Sequence, residues 1–226
     1  MPMTAPTLPP PLRDGDCLTS AEFMRRWEAM PGLKHAELID GIVYMPSPVS
    51  LKHSTSHGQL AGWLGYYAAH TPGCIIGVEG TWVMGRDDSP SPDIDLRILP
   101  EYGGQSRVDG EYGAGAPELV IEVAVTSQSR DLGPKSRLYE RTGVREYIVA
   151  VAPAKHLIWK ARVDGKFQPI EPDADGIIRS RCFPGLWLDA AALWSQDQAR
   201  LFAVLHEGLA TAEHTSFAAH LAAARR

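Results

Sequence analysis

Segment 119–125 constrains the fold most strongly, because it is a run of apolar, mostly β-branched residues with one acid at its centre, Glu122. Such a run is typical of a strand that is buried on both faces of a sheet. An ionised carboxylate costs roughly several kcal/mol when it leaves water without compensation. Buried acids are therefore paired with a cation, hydrogen-bonded or bound to a metal, and Glu122 is predicted to have such a partner.

The rest of the chain alternates between helical and strand-like patterns. Thr19, Ser20, Ala21 and Glu22 form a capping box that begins a helix, and Asp40-Gly41 between two short apolar runs indicates a β-hairpin. Helical spacing covers 53–70 and about 133–142, and residues 100–117 are predicted to form a long loop. The predicted strands are 74–84, 93–99, 119–126, 144–151, 156–163 and 167–170. Together these elements predict an α/β fold with a mixed central sheet flanked by helices.

Composition divides the chain into three parts. Residues 1–16 are Pro-rich and predict a flexible arm, residues 17–194 carry the α/β pattern, and residues 195–226 are Ala-rich and predict a helical extension. Three tryptophans are expected to be core residues, not platforms on which nucleic-acid bases stack: Trp159, Trp187 and Trp194.

Charge and cysteine usage exclude few functions. The net charge is −5 and the pI is near 5.9, so a strongly basic nucleic-acid-binding domain is not indicated, although a local basic groove is compatible with both values. The 3 cysteines are far apart and fit neither a disulfide framework nor a zinc site. Without a signal peptide pattern or a membrane-length apolar run, the sequence predicts a cytoplasmic protein with no membrane partner.

Four segments each contribute one candidate functional residue: Glu37, Asp93, Glu122 and Lys135. Adjacent strands lie about 4.8 Å apart, so Asp93 and Glu122 would point at a shared site if 93–99 and 119–125 are neighbours. Converging carboxylates repel one another unless a cation holds them, and oxygen ligands suit Mg²⁺ or Mn²⁺. The pattern therefore predicts a divalent metal site formed by the acids.

Lys135 is predicted to point inward, because helical spacing places it on the same face as Leu132, Leu138 and Tyr139. Near a metal-bound water, its ammonium could orient a nucleophile or stabilise negative charge on a phosphate.

Each candidate also has a structural interpretation. Asp93 can be a turn residue after Pro92, Glu37 a solvated residue at a strand edge, and Lys135 a surface residue of its helix. For Glu122, the structural interpretation is a salt bridge to one of two arginines, Arg137 or Arg145.

The candidate residues occur in an order that resembles the Uma2 family (DUF820) of restriction-endonuclease-like proteins, a branch of the PD-(D/E)xK nuclease superfamily. The resemblance covers about residues 19 to 194. It rests on these segments: Glu37-Leu38-Ile39-Asp40-Gly41, Met45-Pro46-Ser47-Pro48, His53, Pro92-Asp93, Pro117-Glu118-Leu119-Val120-Ile121-Glu122-Val123, Asp131, Lys135, Tyr139 and Gly143-Val144-Arg145-Glu146-Tyr147.

The resemblance implies a restriction-endonuclease-like fold and a Mg²⁺-dependent site that hydrolyses phosphodiester bonds. Asp93 and Glu122 would then be metal ligands, Glu37 a third acid and Lys135 the catalytic lysine. One position departs from the superfamily pattern: the lysine that usually follows the second acid by two residues is replaced by Ala124, so the role must fall to Lys135 in the next helix.

A histidine near the start of the second helix is also implied by the resemblance, and both His53 and His57 are candidates. Its charge changes near neutral pH, so it could contact phosphate or transfer a proton. His53 is preferred for its spacing after Pro48. Ser127 and Gln128, just after the buried strand, could help position a substrate.

The sequence thus favours a Mg²⁺-dependent endonuclease that acts on DNA. The alternative is a catalytically inactive protein that keeps the nuclease fold as a nucleic-acid- or protein-binding module. A third hypothesis is a structural dimer joined by the Ala-rich C-terminal helices. A homodimer is also expected for the nuclease, by analogy with enzymes of this fold that cut two strands with two copies.

Overall fold

The computed structural model describes residues 8–45 and 50–225, so the predicted loop at 46–48 and the first part of the predicted arm lie outside the described residues. No helix within these two ranges is both long enough and apolar enough to cross a membrane. The helices are α1 Ser20–Glu28, α2 Leu51–Ala69, α3 Gln128–Arg130, α4 Ser136–Thr142, α5 Ala190–Ser195, α6 Gln198–Leu209 and α7 Ala212–Ala224. The strands are β1 Glu37–Ile39, β2 Ile42–Tyr44, β3 Cys74–Val78, β4 Trp82–Val83, β5 Ile94–Ile98, β6 Arg107–Asp109, β7 Tyr112–Ala114, β8 Leu119–Ala124, β9 Glu146–Val151, β10 His156–Val163, β11 Lys166–Pro169, β12 Ile177–Arg179 and β13 Trp187–Asp189.

A mixed sheet forms the centre of the fold, in the order β11-β10-β9-β8-β5-β3. Only β8 and β9 pair in parallel within this sheet, and the other neighbours are antiparallel. Every residue of β8 and β9 is buried, as their continuous apolar runs predict for central strands. The mixed sheet flanked by helices confirms the predicted fold class.

The main core fills the space between one face of this sheet and the helices α2, α5, α6 and α7. Trp63 of α2 meets Trp159 of β10 edge to face, with ring centroids 5.9 Å apart. Trp159 is buried as predicted, whereas Trp187 and Trp194 are only partly buried. A second core, which includes Tyr139 of α4, covers the opposite face. The central sheet is therefore enclosed on both sides.

Segment 100–117 was predicted to be a loop, but it contains the antiparallel hairpin of β6 and β7. Its five glycines suggested irregular backbone; one of them, Gly110, instead supplies the positive φ of 62° between the two strands. Segment 74–84 was predicted to be one strand, but it is interrupted at Glu79, whose φ is 55°. The second piece, β4, leaves the central sheet and pairs with β7.

The helix predicted to begin at about residue 133 begins earlier, at Gln128. It passes through a π-helical turn, Asp131–Lys135, before α4. Pro134 lies inside this turn and lacks the N–H group that an α-helical hydrogen bond needs. The continuous segment places Asp131 four residues before Lys135.

Described residues of both the predicted arm and the predicted C-terminal extension pack against the fold. Leu12, within the predicted arm, is buried beside Leu38 and Val43 of the β1–β2 hairpin. In the predicted C-terminal extension, Leu201 and Leu205 of α6 belong to the main core. Removing residues after about 190 would therefore expose the core, so such a truncation cannot isolate a dimerisation role of these helices.

Asp95 of β5 is a buried acid, with 1% of its surface exposed. Its Oδ2 accepts a hydrogen bond from Trp82 Nε1 at 3.2 Å, and its Oδ1 has no partner among the described residues. Gly77 on the neighbouring strand makes room for it, because a Cβ there would lie 2.3 Å from Oδ2. Burial raises the pKa of Asp95 to about 6.

Asp95→Asn is expected to remove a pH-dependent loss of stability. An unfolded aspartate ionises near pH 3.8, while folded Asp95 keeps its proton up to about pH 6, so wild-type stability falls as the pH rises between these values. The difference between the unfolded and folded pKa values of Asp95 corresponds to roughly 3 kcal/mol in the free energy of unfolding. Thermal unfolding from pH 4 to pH 7.5 should show the advantage of Asp95→Asn growing by about this amount. The exposed Asp109→Asn should show no such trend, and parallel curves for Asp95→Asn and wild type would contradict the expectation.

Candidate active site

Glu122 lies in the centre of β8 with 3% of its surface exposed. Its Oε1 accepts hydrogen bonds from Lys135 Nζ at 2.8 Å and from Tyr139 Oη at 2.7 Å. The structural interpretation named the wrong cations: Arg137 lies near Asp40, and Arg145 donates to Gln105. The buried acid therefore has the cationic partner that its position in an apolar strand predicted.

Asp93 precedes β5 and lies opposite Glu122, because β5 and β8 are antiparallel neighbours with Ile94 beside Ile121. The backbone N–H of Val123, the residue after Glu122, donates to Asp93 Oδ2 at 2.6 Å. The adjacency of the two strands, on which the predicted convergence of the two acids depended, is thus confirmed.

Lys135 joins the two glutamates. Its Nζ lies 2.7 Å from Glu37 Oε1 and 2.8 Å from Glu122 Oε1, and the lysine is 3% exposed. Glu37 enters from β1, and its Oε1 also accepts the backbone N–H of Ser91 at 3.0 Å. The inward orientation predicted from helical spacing is present, since Leu138 and Tyr139 are also buried.

Negative charge exceeds positive charge around Lys135. Burial raises the pKa of Glu122, and Asp93 and Asp131 raise it further against the opposing effect of Lys135. Burial also raises the pKa of Asp131. For Lys135 burial would lower the pKa, but Glu122 and Glu37 outweigh burial and raise it. One ammonium is therefore shared among several carboxylates, and an added cation would stabilise the cluster.

His53 and His57 of α2 both reach Asp93, in different ways. His53 Nε2 lies 3.2 Å from Asp93 Oδ2, whereas His57 Nε2 lies 2.9 Å from the Asp93 backbone carbonyl. Burial alone would raise the pKa of Asp93, but the hydrogen bond to His53 and the charge of Lys135 lower it. The same hydrogen bond raises the pKa of His53 although burial opposes the rise. Of the two histidines, His53 is the one whose ring contacts the carboxylate.

All five residues singled out by the sequence line one cavity of about 220 Å³: Glu37, His53, Asp93, Glu122 and Lys135. Ser127 also lines it, while Gln128 is exposed and lies outside its lining. The cavity therefore collects side chains from β1, α2, the residue before β5, β8 and the helical segment 128–142.

Two further residues of the site had no role assigned from the sequence. Asp131 is buried, lines the cavity and accepts a hydrogen bond from Ser127 Oγ. Its spacing of four from Lys135 was the available signal, because helix positions i and i+4 share a face. Tyr139 was placed on the inward face, but its hydrogen bond to Glu122 depends on the tertiary arrangement.

The donor set is compatible with a hard divalent cation. Within residues 8–45 and 50–225, no three His, Cys, Asp or Glu side chains are arranged as a ready-made metal cluster. Glu122 Oε2 and Asp93 Oδ1 accept no hydrogen bond from these residues, and both acids line the cavity. Mg²⁺ is commonly bound by one or two carboxylates together with water and substrate phosphates, so two acids with free oxygens fit its requirements.

Comparisons with known proteins agree on one family and one fold. No curated protein matches the chain. A crystal structure of a "putative nuclease belonging to DUF820" from Anabaena variabilis is similar with a TM-score of 0.58 and 18% sequence identity, covering 75% of this chain and 96% of that one. At this identity the likeness shows a shared fold. The family model described as "Uma2: Putative restriction endonuclease" matches residues 21–191. Because this match covers well over half of the chain, the protein belongs to the Uma2 family.

Proposed function

We propose that this protein is a metal-dependent endonuclease that hydrolyses phosphodiester bonds of DNA. The observation that carries the proposal is the convergence of Asp93, Glu122 and Lys135 on one cavity, from three separate elements. Burying several acids around one lysine costs free energy that an apolar core would avoid, and such clusters of buried charges occur mainly at functional sites. The family description agrees with this function.

In this proposal Asp93 and Glu122 would hold Mg²⁺ or Mn²⁺ through the carboxylate oxygens that accept no hydrogen bond from residues 8–45 and 50–225. Bound there, the cation would activate water and neutralise charge on a phosphate. Val123 N–H and His53 fix the Asp93 carboxylate by holding one of its oxygens. Tyr139 and Lys135 do the same for Glu122. The hydrogen-bonding residues thus orient each acid while its second oxygen stays available.

Lys135 is proposed to stabilise negative charge that develops on the phosphate, because a preorganised ammonium in a buried site is effective there. Glu37 and Glu122 both fix the ammonium, and the carboxylate of Glu37 is itself held by the Ser91 N–H group. Glu37, predicted as a third metal ligand, is therefore proposed mainly to position Lys135. His53 is proposed to hold Asp93 through the hydrogen bond between its Nε2 and Asp93 Oδ2.

A second function is favoured by one specific contact. Lys135 Nζ bonds both Glu37 and Glu122, so two of the three predicted metal ligands already have a cationic partner. A protein that had lost metal binding could keep this arrangement as a structural ion-pair cluster and use the fold to bind nucleic acid or protein.

Incubation with DNA distinguishes the two functions. Purified protein is expected to nick supercoiled plasmid or cut single-stranded DNA in Mg²⁺ or Mn²⁺ but not in EDTA, and calorimetry should detect metal binding that Asp93→Ala weakens. Cleavage that survives both Asp93→Ala and Glu122→Ala would assign the activity to another site or to a contaminant. Absence of both cleavage and metal binding would support the binding module. Sizing of the same preparation tests the proposed homodimer.

A further inference from the structure

Arg130 is a partly buried cationic residue that lines the cavity, and the proposed chemistry does not use it. It is the last residue of α3, directly before the π-helical turn, and its side chain lines the cavity together with Asp131 and Lys135. No role was assigned to it from the sequence, because one arginine on a short helical turn carries no pattern of its own.

The contacts of Arg130 set it apart from the other cationic side chains of the cavity. Lys135 and His53 are paired with carboxylates, and His35 Nε2 lies 3.8 Å from Glu79. Arg130 forms no salt bridge within residues 8–45 and 50–225, and its Nε is buried without a hydrogen-bond partner there. Segments 1–7 and 46–49, outside those ranges, contain no Asp or Glu that could pair with it.

The guanidinium is nevertheless held in place. Its Cζ lies 5.2 Å from the ring centroid of Tyr44, which is within the distance of a cation–π interaction. Among the described residues the adjacent acid forms no salt bridge with it: Asp131 accepts a hydrogen bond from Ser127, and the charge of Arg130 acts on Asp131 only by lowering its pKa against the effect of burial. An arginine that stacks on an aromatic ring leaves its planar fork of N–H donors free to meet an anion, and phosphate matches that fork.

We propose that Arg130 binds a phosphate of the DNA strand that enters the cavity, and so positions the strand against Asp93 and Glu122. The inference rests on the proposed nuclease function. An anionic strand approaching this cavity meets several carboxylates and a lysine whose charge is already shared by two of them. Arg130 supplies the unpaired positive charge that the approach requires.

The test measures DNA affinity separately from cleavage. A short fluorescein-labelled duplex is titrated in Mg²⁺ with the Glu122→Gln protein, which is expected to leave the DNA intact. Adding Arg130→Ala should weaken binding about tenfold or more, because a charge-assisted hydrogen bond is lost. The slope of log affinity against log salt should also fall by about one. Arg130→Lys keeps the positive charge but loses the planar set of N–H donors, so its DNA affinity should lie between that of the Glu122→Gln parent and that of the Arg130→Ala variant.

Two controls separate phosphate binding from a structural role. Arg107→Ala removes an exposed arginine of β6, outside the cavity, and should change affinity less than twofold. Thermal unfolding of each variant tests the alternative that Arg130 acts only as a counter-charge for Asp131. In that case Arg130→Ala lowers the melting temperature and leaves the DNA affinity unchanged. If Arg130→Ala does not fold, the inference is still tested by Arg130→Lys and by the methylphosphonate series described next.

Neutral methylphosphonate groups, placed one at a time along the duplex, identify the phosphate. At one position the methylphosphonate should weaken DNA binding by the protein that keeps Arg130. It should hardly affect binding by the Arg130→Lys or Arg130→Ala protein, because the neutral phosphonate and the loss of the arginine remove the same contact. The inference is overturned if the effects of the methylphosphonate and of the Arg130 substitution on binding free energy are additive at every position. It is also overturned if Arg130→Ala binds DNA within twofold of the affinity of its parent with the same salt slope. Either result leaves the nuclease proposal intact. Failure of the parent protein to bind any duplex would overturn both.

Discussion

Glu122→Gln is expected to lower metal-dependent DNA cleavage by roughly a thousandfold, because a cation that stabilises the transition state contributes several kcal/mol. The amide keeps an acceptor oxygen for Lys135 and Tyr139, but its second group is an N–H donor that cannot bind a cation. Initial rates of plasmid nicking in Mg²⁺ measure the loss, and calorimetry measures the accompanying loss of metal affinity.

A matched control for this substitution is Asp95→Asn. Asp95 is a buried acid on the strand next to Glu122, but it does not line the cavity. Its neutralisation should leave the cleavage rate within a few-fold of wild type. Because Glu122→Gln removes a charge from an acid-rich cluster, it should melt no lower than wild type at neutral pH. A folded Glu122→Gln protein with wild-type cleavage would contradict the assigned role of Glu122.

Lys135→Met is expected to destabilise the protein by about 3–5 kcal/mol at neutral pH, because it leaves Glu37 and Glu122 buried without their cation. For a chain of this size, such a loss lowers the melting temperature by roughly 10 °C. Burial already raises the pKa of Glu122, and removing the ammonium raises it further. The folded variant therefore keeps a proton on Glu122 at pH values where the folded wild type has released it, so the stability loss should grow as the pH rises above the raised pKa that Glu122 has in the wild type.

Two further variants test this explanation by thermal unfolding at pH 5 and pH 7.5. Adding Glu122→Gln to Lys135→Met removes one unpaired charge and should recover much of the lost stability, which makes the two substitutions non-additive. Lys160→Met is the control, since Lys160 on β10 hydrogen-bonds Ser136 but lies outside the cavity. Its effect should be small at both pH values. An equal loss for Lys135→Met at pH 5 and pH 7.5 would show that lost packing, not unpaired charge, is the cause.

Local patterns account for most of the elements that frame the site. The run of β8, apolar except for Glu122, predicted that this strand is buried on both faces, and the hairpin at Asp40-Gly41 follows from positive φ angles of 52° and 74° at those two residues. Segment 100–117 was predicted incorrectly, because β6 is exposed at every residue and has no apolar alternation. It becomes a strand by pairing with β7, which is held in turn by β4.

By itself, the sequence determined the α/β fold class, the family resemblance and the requirement that Glu122 have a partner, because burial in an apolar strand makes an unpaired carboxylate too costly. It also determined which face of the following helix carries Lys135. The tertiary structure alone decided which partner each charge meets: Glu122 meets Lys135 instead of an arginine, and Arg130 stacks on Tyr44 without a carboxylate. Helical spacing and strand alternation are periodic over a few residues, whereas these contacts join residues up to 86 positions apart, through strand register and packing.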